Sequence, residues 1–322
     1  AHYIVIARDI TARKRTEIDL AATRERLLLA FEASNDAPWD WNPGTNELYI
    51  SPQWWRLVGE DEHTKVDTSF WRRYTHPDDF ERTLNYYREV VAAGRTHYSI
   101  EFRLRHKDGH TIPVLARALV TYDTQGRPVR VSGTHRDMTG VRQAQRREQL
   151  RSCLLDLLAQ DLGLHELLER AVRELEQSLP GSLCAILLLD DKGQHVSEGI
   201  GPSLPADYLD AFRGMAIGPN VGSCGAAAHS GRPVFIEDIR THPNWDAFRD
   251  ITAAAGLAAC WSQPVITRDG RVAGTFAVHM RQPQAAQPEE ALLLQEAARL
   301  VAIAIERKRD EAALQLSAAV FE

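Results

Sequence analysis

Few residues in this chain are arranged for covalent chemistry. The four cysteines, Cys153, Cys184, Cys224 and Cys260, share no short spacing. That argues against a zinc knuckle or a disulfide scaffold and fits a reducing cytoplasm. Cys224 falls where a glycine-rich loop, 217–225 (IGPNVGSCG), opens a small-residue helix, and the positive end of a helix lowers a thiol's pKa. Cys260 falls in the middle of an apolar strand. With Glu237, Asp238, His229 or His279 beside them, the two thiols would make a metal or redox site. Packed in a core they are small hydrophobes. The packing reading carries more weight, and no metal is expected. The loop lacks the Gly-Lys-Ser/Thr end of a phosphate cradle and does not follow a strand in a βαβ unit. No Gly-x-Ser-x-Gly elbow, His-Glu-x-x-His or kinase loop occurs, so no catalytic residue is expected.

A repeat is more informative. Residues 3–15 (YIVIARDITARKR) and 129–142 (VRVSGTHRDMTGVR) each end an alternating stretch in Arg-Asp-(Ile/Met)-Thr and then turn helical. Asp9 and Asp137 lie 128 residues apart, about one small domain. Thr11 and Thr139 are expected to be N-caps. Each aspartate would sit near the positive helix start and pair with Arg8 or Arg136. The unit reads as a rigid strand-to-helix joint, with Asp9, Thr11, Arg136, Asp137 and Thr139 as its signalling residues.

The elements around the joints follow from periodicity. Charged helices are expected over 12–33, 139–160 and 286–316. In the last, Leu293, Ala297, Leu300 and Ala304 form the seam of a coiled coil or of a packed helix. Between the joints, strands 38–42 and 47–51 precede helices 52–58, 68–74 and 77–93. Strands 97–105, 111–122 and 128–136 follow, turned at Lys107-Asp108-Gly109 and 123–126. After the second joint come helix 163–179, strands 184–189 and 194–200, helix 205–213, the glycine loop, and strands 233–237, 258–266 and 272–280. Both halves are α+β, each an antiparallel sheet flanked by helices.

The first half resembles the PAS family through Trp39-Asp40-Trp41-Asn42, Tyr49-Ile50-Ser51-Pro52, His76-Pro77-Asp78-Asp79, Phe102-Arg103-Leu104-Arg105 before Lys107-Asp108-Gly109, and Asp137-Met138-Thr139. The second resembles GAF domains of bacterial cyclic di-GMP sensors through 218–228 (GPNVGSCGAAA), 233–239 (PVFIEDI), 241–245 (THPNW), 259–266 (ACWSQPVI) and 269–278 (DGRVAGTFAV). The resemblance implies residues 1–16 as the remnant of an upstream PAS domain, 17–34 and 139–162 as helical linkers, 35–138 as PAS and 163–306 as GAF. Residues 307–322 would be a connector, where LQLSAAVFE resembles the first helix of a further PAS domain.

The family reading implies a pocket between sheet and helices, for which Trp39, Trp41, Trp54, Trp55 and Trp71 are candidates. The competing reading has these rings filling the core or a dimer surface. Cys224, Glu237 and Cys260 are the candidates in the GAF half. Residues 35–138 hold no cysteine, which excludes flavin-thiol photochemistry. Helix 77–93 has no histidine, so haem is not expected. Neither Cys224 nor Cys260 has an adjacent histidine, so covalent bilin is not expected, and the cofactor stays unknown. No Gly-Gly-Asp-Glu-Phe occurs, and Glu290-Ala291-Leu292 is a chance match. The implied role is a sensory and transmission module feeding an output domain of a diguanylate cyclase or cyclic di-GMP phosphodiesterase. The alternatives are a histidine kinase's sensor region and a ligand-independent dimerisation scaffold. A net charge of −6 argues against nucleic acid, and no apolar run is long enough to span a membrane. A homodimer, a small-molecule ligand and a cytoplasmic location are expected.

Overall fold

The computed structural model describes residues 11–34, 36–62, 66 and 69–320. Asp9 lies outside them. The chain divides into two units, residues 1–142 and 143–322.

The first unit opens with helix α1 (Thr11–Ser34) and strands β1 (Asp36–Trp41) and β2 (Leu48–Ile50). Helices α2 (Pro52–Val58), α3 (Phe70–Tyr74) and α4 (Pro77–Ala92) follow, then β3 (His97–Arg105), β4 (Thr111–Tyr122) and β5 (Pro128–Asp137). The sheet is fully antiparallel, in the order β2-β1-β5-β4-β3. Its two-residue period is visible in β4, where Ile112, Val114, Ala116, Ala118 and Val120 are buried. Ser51 caps α2, its side chain accepting the Trp54 N–H, and Gly59 ends α2 in the left-handed region at φ 73°. The helix expected from residue 68 begins at Phe70.

The His76-Pro77-Asp78-Asp79 stretch has a physical role. His76 caps α4, with Nδ1 accepting the Asp78 N–H. Asp79 accepts the Arg103 backbone N–H at 2.9 Å and its guanidinium at 2.8 Å, tying α4 to β3. Those bonds hold the Asp79 carboxyl well below the usual carboxylate range.

The second unit contains most of α5 (Thr139–Ala159), then α6 (Leu164–Ser178), β6 (Leu183–Leu189), β7 (Val196–Ile200), α7 (Ala206–Asp210), α8 (Gly222–Ser230) and β8 (Val234–Ile236). After α9 (Arg249–Ala254), β9 (Ala259–Ile266) and β10 (Val272–Met280) complete the sheet, and α10 (Pro288–Val320) closes the unit. The strand order is β7-β6-β10-β9-β8, again antiparallel. Strands β6 and β10 are buried almost throughout because helices cover both faces. That explains their continuous apolar runs.

Three expectations are corrected here. Helix α8 starts at Gly222, four residues before the alanines, helix 205–213 is only Ala206–Asp210, and α9 was not foreseen. The seam Leu293, Ala297, Leu300 and Ala304 is buried within the unit's own core with α6, so it is a packed-helix stripe.

Candidate functional site

The first unit holds a partly open cavity of about 150 Å³ between the sheet and α3–α4. Its wall includes Trp39, Trp41, Trp71, Tyr87, Tyr98 and Phe102, and no charged side chain among the described residues. Trp39 stands on the inner face of β1 and meets Trp71 edge to face, with ring centroids 5.4 Å apart. Trp41 tilts against Tyr87 at 5.6 Å, and its indole donates to Asn46 Oδ1 at 3.1 Å. Asn46 sits in the β1–β2 turn at φ 58°, a conformation asparagine tolerates. Burial pushes the Tyr98 phenol upward, so it stays neutral.

The candidate tryptophans divide between two places. Trp39, Trp41 and Trp71 line the cavity. Trp54 and Trp55 do not; they are buried in the core behind it. Trp54 donates its indole N–H to His135 Nδ1 at 2.9 Å. An indole can only donate, so this Nδ1 is the acceptor and the neutral ring carries its proton on Nε2. Burial lowers the His135 pKa to about 3. The sequence reading passed over Tyr87, Tyr98, Phe102 and His135 as site residues. Inward alternation along β3 and β5 was the available signal for Tyr98, Phe102 and His135.

The joint differs from its expected chemistry. Thr139 is the first helical residue of α5, and its backbone N–H is accepted by Asp137 Oδ1 at 2.7 Å. Met138 occupies the cap position, its carbonyl accepting from Arg142 at 2.8 Å and its N–H donating to Pro113 of β4 at 2.8 Å. The capping side chain is therefore Asp137, one residue ahead of the cap. Arg136 does not pair with Asp137. It holds Asp36 of β1 with two bonds at 2.7 and 3.0 Å. Arg142 reaches Glu101 of β3 at 2.7 Å. Three strands thus anchor the chain on either side of the helix start. Thr11 is the first residue of α1.

In the second unit, Cys224 and Cys260 share one buried cluster. Glu237 is exposed and outside it, which corrects its place among the pocket candidates. A hydrogen bond between the thiols lowers the Cys224 pKa, while burial drives Cys260 well above the ordinary thiol value. Nearby, Tyr208 donates to His279 Nε2 at 3.1 Å, and His279 Nδ1 donates to the Leu183 carbonyl at 3.2 Å. The cavity bordered by Cys224, Tyr208, Trp245 and His279 measures about 10 Å³, roughly the room of one water.

Among the described residues, one set of side chains has its ligand atoms close enough for a metal: His106, Asp108 and His110, within 4.8 Å of one another in the β3–β4 turn. His106 Nδ1 already accepts the Asp108 N–H at 3.2 Å. The Nε2 edge of His106 packs on Gly59, where a Cβ would lie 2.2 Å from it. The ring is used to dock the turn onto the end of α2, where Lys107 also donates to the Val58 carbonyl at 3.0 Å. No helix among the described residues is long and apolar enough to cross a membrane.

Two family matches agree with this architecture: a PAS fold over residues 47–135 and a GAF domain over 161–306. A methyl sulfide methyltransferase-associated sensor of Methanosarcina acetivorans is 30% identical over 242 residues, covering 75% of this chain and 24% of that protein. Hybrid signal transduction histidine kinase A of Dictyostelium discoideum is 47% identical over 51 residues, 16% of this chain and 2% of that protein. The chain thus spans a quarter or less of the length of these relatives. A solved N-terminal domain of a diguanylate cyclase with a PAS/PAC sensor, from Marinobacter aquaeolei, is 26% identical with a TM-score of 0.30, covering 32% of this chain and 95% of that one. With its two antiparallel sheets and the two family matches, the chain is a PAS domain followed by a GAF domain.

Proposed function

We propose that the chain is the sensing and transmission part of a larger signalling protein, with the PAS cavity as input and α5 as the transmitting element. The observation that carries this reading is the start of α5. Its first turn is bonded to the PAS sheet through Asp137, Pro113 and Glu101, and its later Leu150, Leu154 and Leu157 belong to the GAF core. A change in the packing of the sheet biases a helix fixed in this way, which is a population shift. The near-filled GAF interior favours a relay or dimerisation role for that domain. Leu292, Ile303 and Leu314 are exposed on α10 at spacings of eleven residues, which supports a helical homodimer contact.

Two parents fit this front end, a cyclic di-GMP-turnover enzyme and a sensor histidine kinase. The histidine-kinase relative favours the second. The chain incubated with GTP or cyclic di-GMP is expected to leave both unchanged. In the full-length parent, Asp137→Ala is expected to keep basal output and remove its response to the stimulus. An intact response in that variant, or turnover of either nucleotide by this chain, defeats the reading.

A further inference from the structure

We infer that Cys224 and Cys260 in the GAF interior form a dithiol that hydrogen peroxide oxidises, with Cys224 attacking the peroxide and Cys260 closing a disulfide. This gives the second domain a modification site of its own, independent of the PAS cavity and of α5.

Two elements bring the thiols together. Cys224 is the third residue of α8, which packs on β9, the strand that carries Cys260. The residue beside Cys224 sets the register. Ser223 Oγ donates to the Cys260 carbonyl at 3.1 Å and accepts the Trp245 indole N–H at 3.2 Å. The small residues of α8 let it lie close to the sheet, and the two thiols share a hydrogen bond. Cys184, also buried, belongs to the cluster on the other face of the sheet, with α6 and α10. It does not compete as a partner.

The surroundings divide the two thiols by role. Ser262 on β9 and Thr275 on β10 border the Cys224 sulfur at 0% and 1% exposure, and neither hydroxyl has a hydrogen-bond partner among the described residues. Such buried groups are nearly always satisfied. A neutral thiol sulfur accepts weakly, whereas a thiolate or a sulfenate oxygen accepts strongly. The two idle donors thus await a negative charge at Cys224, next to the positive end of α8. Cys224 is held below the ordinary thiol value, while burial keeps Cys260 well above it. Cys224 also lines the cavity of about 10 Å³, roughly the room of one water. Hydrogen peroxide is the hydroperoxide nearest that size.

The chemistry balances with peroxide as oxidant. The Cys224 thiolate attacks one peroxide oxygen. An S–O bond forms, the O–O bond breaks, and hydroxide leaves to take up the proton that Cys224 released. The Cys260 sulfur then attacks the Cys224 sulfur. An S–S bond forms, the S–O bond breaks, and the oxygen leaves as water with the Cys260 proton. Two thiols and one peroxide become one disulfide and two waters.

The test exposes the purified chain to hydrogen peroxide and maps its peptides without reduction. Free thiols are expected to fall from four to two, with one linked pair carrying Cys224 and Cys260, and dithiothreitol restores all four. Cumene hydroperoxide, too bulky for the cavity, should leave the pair reduced over the same time. Cys260→Ala should stop at the Cys224 sulfenate, captured as its dimedone adduct. Ser262→Ala should slow oxidation about tenfold, the lower end of what a hydrogen bond to a charged group is worth. Its urea midpoint should not fall, because the resting chain loses only an unpartnered hydroxyl. The proposal is overturned if peroxide oxidises the half-buried Cys153 while the pair stays reduced, or if Cys224 advances to a sulfinic acid beside a free Cys260. Both are read on the unmodified sequence, so they stand even where a variant fails to fold. Equal rates with the two hydroperoxides, or a wild-type rate in Ser262→Ala, overturn it as well.

Discussion

Gly133 shows how much of the cavity depends on a missing side chain. It lies in β5 opposite Trp39 of β1 and Ala118 of β4. A Cβ there would stand 2.5 Å from the Arg117 carbonyl oxygen, 2.8 Å from the Trp39 ring and 2.9 Å from the Ala118 methyl. The constraint is space, since Gly133 is not among the residues with positive φ. Gly133→Ala is expected to cost about 1–3 kcal/mol in urea unfolding, as overpacking does, and to displace the Trp39 indole. Gly140 is the matched control. A Cβ at that helical position meets nothing within 4 Å, so Gly140→Ala should be neutral or stabilise by up to ~1 kcal/mol. Equal losses from the two substitutions would rule out the steric account. Gly133 had no sequence signal of its own, because its role is set by a tryptophan 94 positions earlier.

The same distinction between local and distant causes governs the strand-to-helix joint. Asp137 accepts the first helical N–H of α5, while Thr139, though capable of capping, stands one turn position too late. Asp137→Ala is expected to cost about 1 kcal/mol, the usual worth of a lost cap, and Thr139→Ala close to nothing. Chemical denaturation of the two variants side by side checks this, and a larger loss at Thr139 would return the cap to its hydroxyl. The elements themselves were legible in the sequence. Strands 97–105 and 111–122 are observed with the bounds that alternation and the Lys107-Asp108-Gly109 turn implied. What local pattern could not supply was partner choice. Arg136 lies next to Asp137 in sequence but bonds Asp36 on the neighbouring strand. Glu237 looked close to the cysteines because it follows β8, yet it faces outward. The cavity wall was half legible for the same reason. The tryptophans stand out by type, but which of them border empty space is decided by how α3 and α4 rest on the sheet.

At the scale of the whole molecule, each domain buries one neutral histidine among its described residues, and this sets its acid limit. His135 in the PAS core has its pKa lowered by burial from 6.5 to about 3, and His279 in the GAF core to about 4. Between these values and 6.5 the unfolded chain binds a proton that the folded domain does not. Stability is therefore full above pH 6.5 and falls as the pH drops, with a slope of about 1.4 kcal/mol per pH unit for each such proton. Asp79 acts in a different range. Its carboxyl is depressed from 3.8, so its contribution persists down to that pH and is lost only below it. The interval from pH 4 to 6 thus isolates the histidine in the PAS domain. Five of the seven tryptophans lie in that domain, so their fluorescence reports mainly on its unfolding. In urea titrations across this interval the wild-type midpoint should fall steadily with acid. His135→Gln keeps an acceptor for Trp54 and removes the titrating ring. It should be less stable at pH 7 but lose that slope for the tryptophan signal. If the variant keeps the wild-type slope, the proton taken up on unfolding belongs to another group, and the buried histidine is not what limits the PAS domain in acid.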